Sequence, residues 1–430
     1  MPEAEMQPGD LTVMILAGGL GTRLRSVLPD RQKVVAEVRG RPFVAYLLDQ
    51  LNAFGFRHVV LCTGYQGFQV KEAFGDTYKN IRLDYSLEQE PLGTGGAVLN
   101  ALPTALSDIL LVMNGDSFCD VNLSALLKFH QLKSASASIV LAHIDGVERY
   151  GQVRLDEQQR VLDFVEKGQV TGDGWISAGI YLIKRSMLAV FSNNRRVSLE
   201  KEIFPSWIGK GLYAYPVEAA FLDIGIPEDY QRAEHFFAGQ LARKRLLDGA
   251  DIRQEAARHC VEDIVSAAQL LVRALAAGNK VLLCGNGGSA ADCQHMAAEL
   301  VSRLTKDFNR PALPALALTT DTSMITAYAN DCGFDGVFQR QVEAFGRPGD
   351  VLIGISTSGD STNVLCAVEV AKERGMGTIV LTGPGGQLPQ ISDIAIRIPG
   401  TNTQFIQESH LAVEHILCEL VETSLYGVGR

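Results

Sequence analysis

No cysteine pair in this chain has CxxC spacing. The eight cysteines (62, 119, 260, 284, 293, 332, 366, 418) are scattered, and several lie in apolar runs. That pattern argues for reduced, buried, structural thiols in a cytoplasmic protein. No apolar run reaches transmembrane length. The first residues, MPEAEMQPGD, are acidic and lack the apolar core of a signal peptide. There is no basic block, and net charge is −10, which weighs against nucleic acid or an anionic membrane as the main partner. Phosphorylated small molecules stay open, because local loops hold those. The two halves share no internal repeat.

What is present is a soluble globular composition, 47% apolar and 20% charged, over 430 residues. That length is too great for one core, so two or three domains are expected. The most informative stretch is VLLCGNGGSAADCQHMAAELVSRL, from 281 to 304. A buried strand runs into a glycine turn, with Ser289 expected as N-cap of a helix from Ala290. Backbone N–H groups and the positive helix end then point at one spot, which suits a phosphate near Asn286, Gly287, Gly288 and Ser289. His295 and Glu299, at i and i+4, share a helix face. Further along, Val351–Ile355 reads as a strand entering Ser356, Thr357, Ser358 and Ser361, hydroxyls before a helix start that can also hold a phosphate. Thr320 and Asp321 follow another strand, and Asn330 and Asp331 read as a loop. In the last helix, Thr403–Tyr426, Gln407 and His415 lie within about 80° of each other. His410 points elsewhere and reads as a packing histidine, and Glu419/Glu422 as a solvated face.

The first half opens on an apolar strand, 11–17, and a glycine-rich loop with Gly18, Gly19, Gly21 and Thr22. This is not a Walker loop and lacks GxGxxG spacing. Arg23 and Lys33 beside it can neutralise a triphosphate and a leaving pyrophosphate. A second glycine turn, LGTGGA with Gly93 and Gly95, suits a flat base on backbone. Asp116, after the strand Ile109–Met113, is placed to hold Mg²⁺.

Residues 11–235 resemble the sugar-1-phosphate nucleotidyltransferases through AGGLGTRLR, Lys33, LGTGGA, NGDSF, EKG, SAGIYL and FLDIGIPEDY. The resemblance implies a GT-A-like, Rossmann-like mixed α/β sheet. It implies a nucleotide held by Gly18, Gly19, Gly21, Thr22, Arg23, Gly93 and Gly95. Mg²⁺ would lie on Asp116 and Asp223, phosphate on Lys33, and sugar near Glu166 and Lys167. Gln32 stands where the family has proline, and Ser177 where an asparagine often contacts the sugar.

Residues 250–425 are similar to the phosphoheptose isomerases of the SIS fold, an αβα sandwich on a parallel sheet. GNGGSAADCQHMAAEL, TTDTSMITAYANDCGFDGVF, GISTSGDSTNV and TQFIQESHLAVEHILCELVE carry the likeness. It implies Zn²⁺ on His295, Glu299, Gln407 and His415, with Glu299 and His415 as acid/base pair and a homo-oligomer, commonly a tetramer. Asp360 departs from a common asparagine and is expected to point away from the phosphate. The domains expected are a disordered tail 1–10, a transferase 11–245 and an isomerase 246–430, joined by a helical connector broken at Gly249. Together they suggest two steps of one route to a nucleotide-activated heptose, with GTP as donor. The alternatives are a hexose-1-phosphate transferase using GTP, CTP or UTP, and an SIS half that only senses a sugar phosphate.

Overall fold

The computed structural model describes all residues except 1–5, 20–23, 25–30, 65, 169–170, 192–195, 307 and 428–430. It divides into two compact units, Met1–Gly239 and Gln240–Arg430.

In the first unit, Thr12–Ala17 lies parallel between His58–Thr63 and Ile109–Asn114. Ile81–Leu87 extends the sheet beyond His58–Thr63, while Gly174–Lys184 runs antiparallel to Ile109–Asn114. The sheet is therefore mixed. Its central strands are apolar on both faces because both are covered. Val13, Ile15, Leu111 and Met113 face one core; Met14, Val60, Leu110 and Val112 face the other. The chain moves to one side of Thr12–Ala17 first, then crosses to Ile109–Asn114 on the other. That switch opens a crevice at the carboxyl ends of these two strands, where open α/β sheets place ligands. A two-stranded ribbon pairs Asp223 with Ser117, which brings Asp223 beside Asp116.

The second unit holds five parallel strands in the order Ala315–Ala317, Val281–Gly285, Val351–Ser356, Gly377–Thr382, Ile394–Arg397. Alternate side chains again serve two cores. Leu283, Ile353 and Leu381 pack under the helices Val261–Ala276, Gly288–Val301 and Thr403–Tyr426. Leu282, Leu352 and Val380 pack under Val337–Phe345 and Thr362–Glu373. The switch point lies between the first and third strands in chain order, at Gly285 and Ser356.

Several local expectations change. Part of the tail expected to be disordered is ordered: Met6 packs on the core and Pro8–Asp10 form a 3-10 turn, with 1–5 outside the described residues. The connector does not break at Gly249. One helix runs Pro227–His259, and the break falls at Cys260, before Val261–Ala276. Gly249 is a close approach instead: a Cβ there would lie 2.9 Å from the Glu408 carboxylate and 3.5 Å from the Phe405 ring. Ser289 is not the N-cap. Gly287, at φ +55°, starts the helix Gly288–Val301, and Ser289 is buried in its first turn. Asn330 and Asp331 are not loop residues but lie in the helix Thr322–Cys332.

Candidate active sites

At the first switch point a cavity of about 270 Å³ is lined by Gly18, Gly19, Gly93, Thr94, Asn114 and Asp116, among others. A second, of about 340 Å³, shares Asn114 and Asp116 and adds Glu166, Lys167, Ser177, Tyr181, Glu200 and Asp223. Two adjoining cavities that share Asn114 and Asp116, with Asp223 on the wall of the larger, suit two substrates meeting at one point. Gly21, Thr22 and Arg23 lie outside the described residues. The second glycine turn forms the first turn of the helix Gly93–Ala101, with Gly93 at φ +75°. The Gly95 N–H donates to the Val197 carbonyl (2.9 Å), which a Cβ on Gly93 would crowd at 2.8 Å. Gly95 thus holds a neighbouring segment and does not line the smaller cavity.

Gln32 takes over the job of a rigid turn residue. Its side chain accepts from the Val34 N–H (2.9 Å) and donates to the Ala17 carbonyl, which pins Lys33 beside the end of the first strand. Lys33 Nζ lies 2.6 Å from Asp116 Oδ2 and 3.9 Å from Asp223 Oδ1. Burial, with the nearby Asp116 charge, raises the Asp223 carboxyl above its ordinary range. Two carboxylates held this close favour a cation between them, and all-oxygen donors suit Mg²⁺. Ser177 Oγ is 3.1 Å from the Tyr181 hydroxyl, which donates to Glu200. Glu166 pairs with Lys201 at 3.2 Å, and both are exposed.

In the second unit, His295 Nε2 and His415 Nε2 are 2.8 Å apart, although 120 residues separate them. Glu299 Oε1 lies 3.9 Å from His295 Nε2, and Glu299 Oε2 is buried with no hydrogen-bond partner. Gln407 donates to Asp292 (3.1 Å) and lies over Gly288, where a Cβ would clash with it at 2.2 Å. Among the described residues no three His, Cys, Asp or Glu side chains already form a metal-holding group. The donors nonetheless fit zinc: two imidazole nitrogens face each other beside an orphaned carboxylate oxygen.

The hydroxyl loop is knit internally. Ser356 Oγ lies 2.9 Å from Ser361 Oγ and 3.3 Å from Ser358 Oγ, and it accepts from the Gly359 N–H. Asp360 turns away from it and accepts from the Gln387 N–H (3.0 Å). Asp321 caps its helix by accepting from Met324 N, Thr320 donates to the Ala317 carbonyl, and Asn330 donates to Asp331. These four are engaged in local structure.

His410 is fully buried, with Nε2 3.1 Å from the Thr382 carbonyl, and burial lowers its pKa to about 4. Glu422 is not solvated: it forms a buried ion pair with Arg310 at 2.6 Å. Three residues escaped sequence reading. Asn363 exchanges two 2.8 Å hydrogen bonds with Asn286 across the crevice. Glu88 lies buried on the wall of the smaller cavity, accepts from the Leu92 N–H, and burial raises its carboxyl. Glu414 is fully buried, both its oxygens are unpartnered, and burial raises it to about 8. An acidic residue five positions before Gly93 was the available signal for Glu88; Glu414 had none.

Comparison with known proteins agrees with this division. The family described as nucleotidyl transferase matches residues 12–240, and the SIS domain matches 248–383. A phosphoheptose isomerase of Akkermansia muciniphila is 52% identical over 166 residues, 38% of this chain and 87% of that protein. One from Rhodospirillum rubrum is 54% identical over 39% of this chain and 88% of its own length. Among solved structures, HddC of Yersinia pseudotuberculosis, complexed with GMP-PN, is 33% identical, covering 53% of this chain and 99% of that one, at a TM-score of 0.48. Phosphoheptose isomerase GmhA of Neisseria gonorrhoeae is 44% identical, covering 43% and 99%, at 0.41. The chain belongs to the nucleotidyl transferase family through its first unit and to the SIS-fold phosphoheptose isomerases through its second, two enzymes carried on one polypeptide.

Proposed function

We propose that the second unit interconverts sedoheptulose 7-phosphate and D-glycero-D-manno-heptose 7-phosphate. The first unit then joins GTP to D-glycero-D-manno-heptose 1-phosphate, giving GDP-heptose and pyrophosphate. A kinase and a phosphatase on other chains would connect the two steps. The observation that carries the isomerase reading is the meeting of His295, His415 and the Glu299 carboxylate, whose Oε2 is buried without a partner.

Aldose and ketose differ by protons on neighbouring carbons and oxygens, exchanged through an enediol. The Glu299 carboxylate and His415 imidazole move those protons. The substrate phosphate is gripped by Ser356, Thr357, Ser358 and Ser361 and by backbone N–H groups at 286–289. Zn²⁺ bound by His295, Glu299, Gln407 and His415 would polarise the sugar oxygens. In the transferase, a phosphate oxygen of the sugar attacks the α-phosphorus and pyrophosphate leaves. Lys33 and Arg23 offset the developing charge, and Asp116 and Asp223 are the residues for Mg²⁺. Glu88 supports guanine, whose N1–H and 2-amino groups both donate and so complement a buried carboxylate. The apolar groove of about 390 Å³ lined by Val261, Val265, Ile416 and Leu420 supports a homo-oligomer, commonly a tetramer in such isomerases. No helix among the described residues is long and apolar enough to cross a membrane, which accords with cytoplasmic work on soluble sugar phosphates.

The test supplies the purified chain with sedoheptulose 7-phosphate, then with heptose 1-phosphate and each of GTP, CTP, UTP and ATP. NMR detection of heptose 7-phosphate and GDP-heptose is expected. A preference for another triphosphate, unaltered in Glu88→Gln, would remove the guanine assignment. An inactive second unit that still binds the sugar phosphate would favour a sensing role.

A further inference from the structure

We propose that the Asn114 carboxamide binds the sugar 1-phosphate directly. It accepts a hydrogen bond from the hydroxyl on the carbon next to the anomeric carbon. This rests on the transferase reading above and adds a specificity determinant to it.

Asn114 is the last residue of the strand Ile109–Asn114, in register with Leu16 at the carboxyl end of the sheet. Its side chain lines both cavities of the first unit and so stands on the wall they share. Its side-chain oxygen is buried and has no hydrogen-bond partner among the described residues. Such an acceptor is destabilising while its bond is unmade, and a donor from substrate would satisfy it. The slot that holds the group is built for it. Gly179 has φ +73°, and a Cβ there would lie 2.6 Å from Asn114 Nδ2 and 2.8 Å from Cγ. The pairing of that strand with Ala137–Ile144 shifts register between Ser177 and Tyr181, around this glycine.

The chemistry selects the ligand. Phosphate oxygens at neutral pH only accept, and the guanine donors are assigned to Glu88, so the partner is a hydroxyl, on the sugar or on the ribose. The strand Gly174–Lys184, against which the carboxamide packs, contributes Ile176, Ser177 and Tyr181 to the larger cavity. None of its described residues lines the smaller, nucleotide-side cavity. The sugar is therefore the source. Because Asn114 stands where the cavities join, it meets the phosphate-bearing end of the sugar, where the nearest hydroxyl is on carbon 2.

The experiment is a cycle on the full chain with GTP, crossing wild type and Asn114→Ala with heptose 1-phosphate, mannose 1-phosphate and the 2-deoxy analogue of whichever is accepted. We expect Asn114→Ala to lower kcat/KM for the parent sugar about 10- to 100-fold. The 2-deoxy analogue should be affected by about twofold or less, because wild type has already lost the same bond. The penalties for 2′-deoxy- and 3′-deoxy-GTP should be equal in both proteins. Equal loss with the parent and 2-deoxy sugars, or coupling to a ribose hydroxyl instead, would overturn the proposal. Asn114→Asp keeps an acceptor and should retain sensitivity to the 2-hydroxyl, so the cycle survives if the alanine variant fails to fold. Turnover of mannose 1-phosphate alone would sink the heptose assignment and leave this inference standing. Turnover of no sugar 1-phosphate would sink both.

Discussion

In the first unit the groups at the switch point are charged: Lys33 lies between Asp116 and Asp223, and Glu88 is buried nearby. In the second unit the hydroxyl loop is hydrogen-bonded within itself, and the titratable groups His295, Glu299 and His415 meet one another. Nucleotidyl transfer develops charge at phosphorus, so its site needs cations at the phosphates. Isomerisation leaves the phosphate untouched, so neutral donors suffice there and the titratable groups are kept for the carbon chemistry. Two sheets with the same kind of switch point thus serve different chemistry through what stands at their strand ends.

The sharpest way to break this comparison is a reciprocal pair. Glu299→Gln should lower isomerisation by about 10²- to 10⁴-fold and leave nucleotidyl transfer unchanged, while Asp116→Asn should do the reverse. Loss of both activities in either variant would mean the sites are not independent. Next is the Arg310–Glu422 pair, whose side chains are 0% and 6% exposed. Glu422→Gln leaves Arg310 with an uncompensated buried charge and should destabilise the second unit by about 3–5 kcal/mol. Both tryptophans, Trp175 and Trp207, lie in the first unit, so their fluorescence melt should not move while isomerase activity is lost at lower temperature.

A smaller effect should be shared. Burial lowers both His130, in the first unit, and His410, in the second, to about 4. Each folded form prefers the neutral ring. Their stabilisation is therefore complete above pH 6.5 and is lost as pH falls towards 4, by about 3 kcal/mol for each. Urea unfolding at pH 7.5 and 4.5, with His130→Asn and His410→Asn, should flatten that slope in the matching unit only. The smallest effect is Ser358→Ala, which removes one neutral donor and should raise the isomerase KM by about tenfold or less, with kcat little changed.

Much of the architecture was legible. Central strands such as Val281–Gly285 are uniformly apolar because helices cover both faces, and Thr403–Tyr426 carries helical spacing from end to end. The junction was harder. Glycine usually weakens a helix, yet Gly249 is tolerated inside one because Phe405 and Glu408 come too close for a side chain. Glu422 read as solvated because its partner, Arg310, is 112 residues away. Nothing local to Gly95 announces the Val197 carbonyl to which its N–H donates.

The sequence by itself determined two α/β units, the glycine and hydroxyl turns at their strand ends, and the i,i+4 placement of His295 and Glu299. These depend on periodicity and on local backbone freedom, which neighbouring residues encode. Only the tertiary structure brought His415 to His295, set Lys33 between two aspartates, left Asn114 with an unmade hydrogen bond and buried Glu414. Those arrangements join residues tens to more than a hundred positions apart, and strand order and sheet register, not local spacing, decide which of them meet.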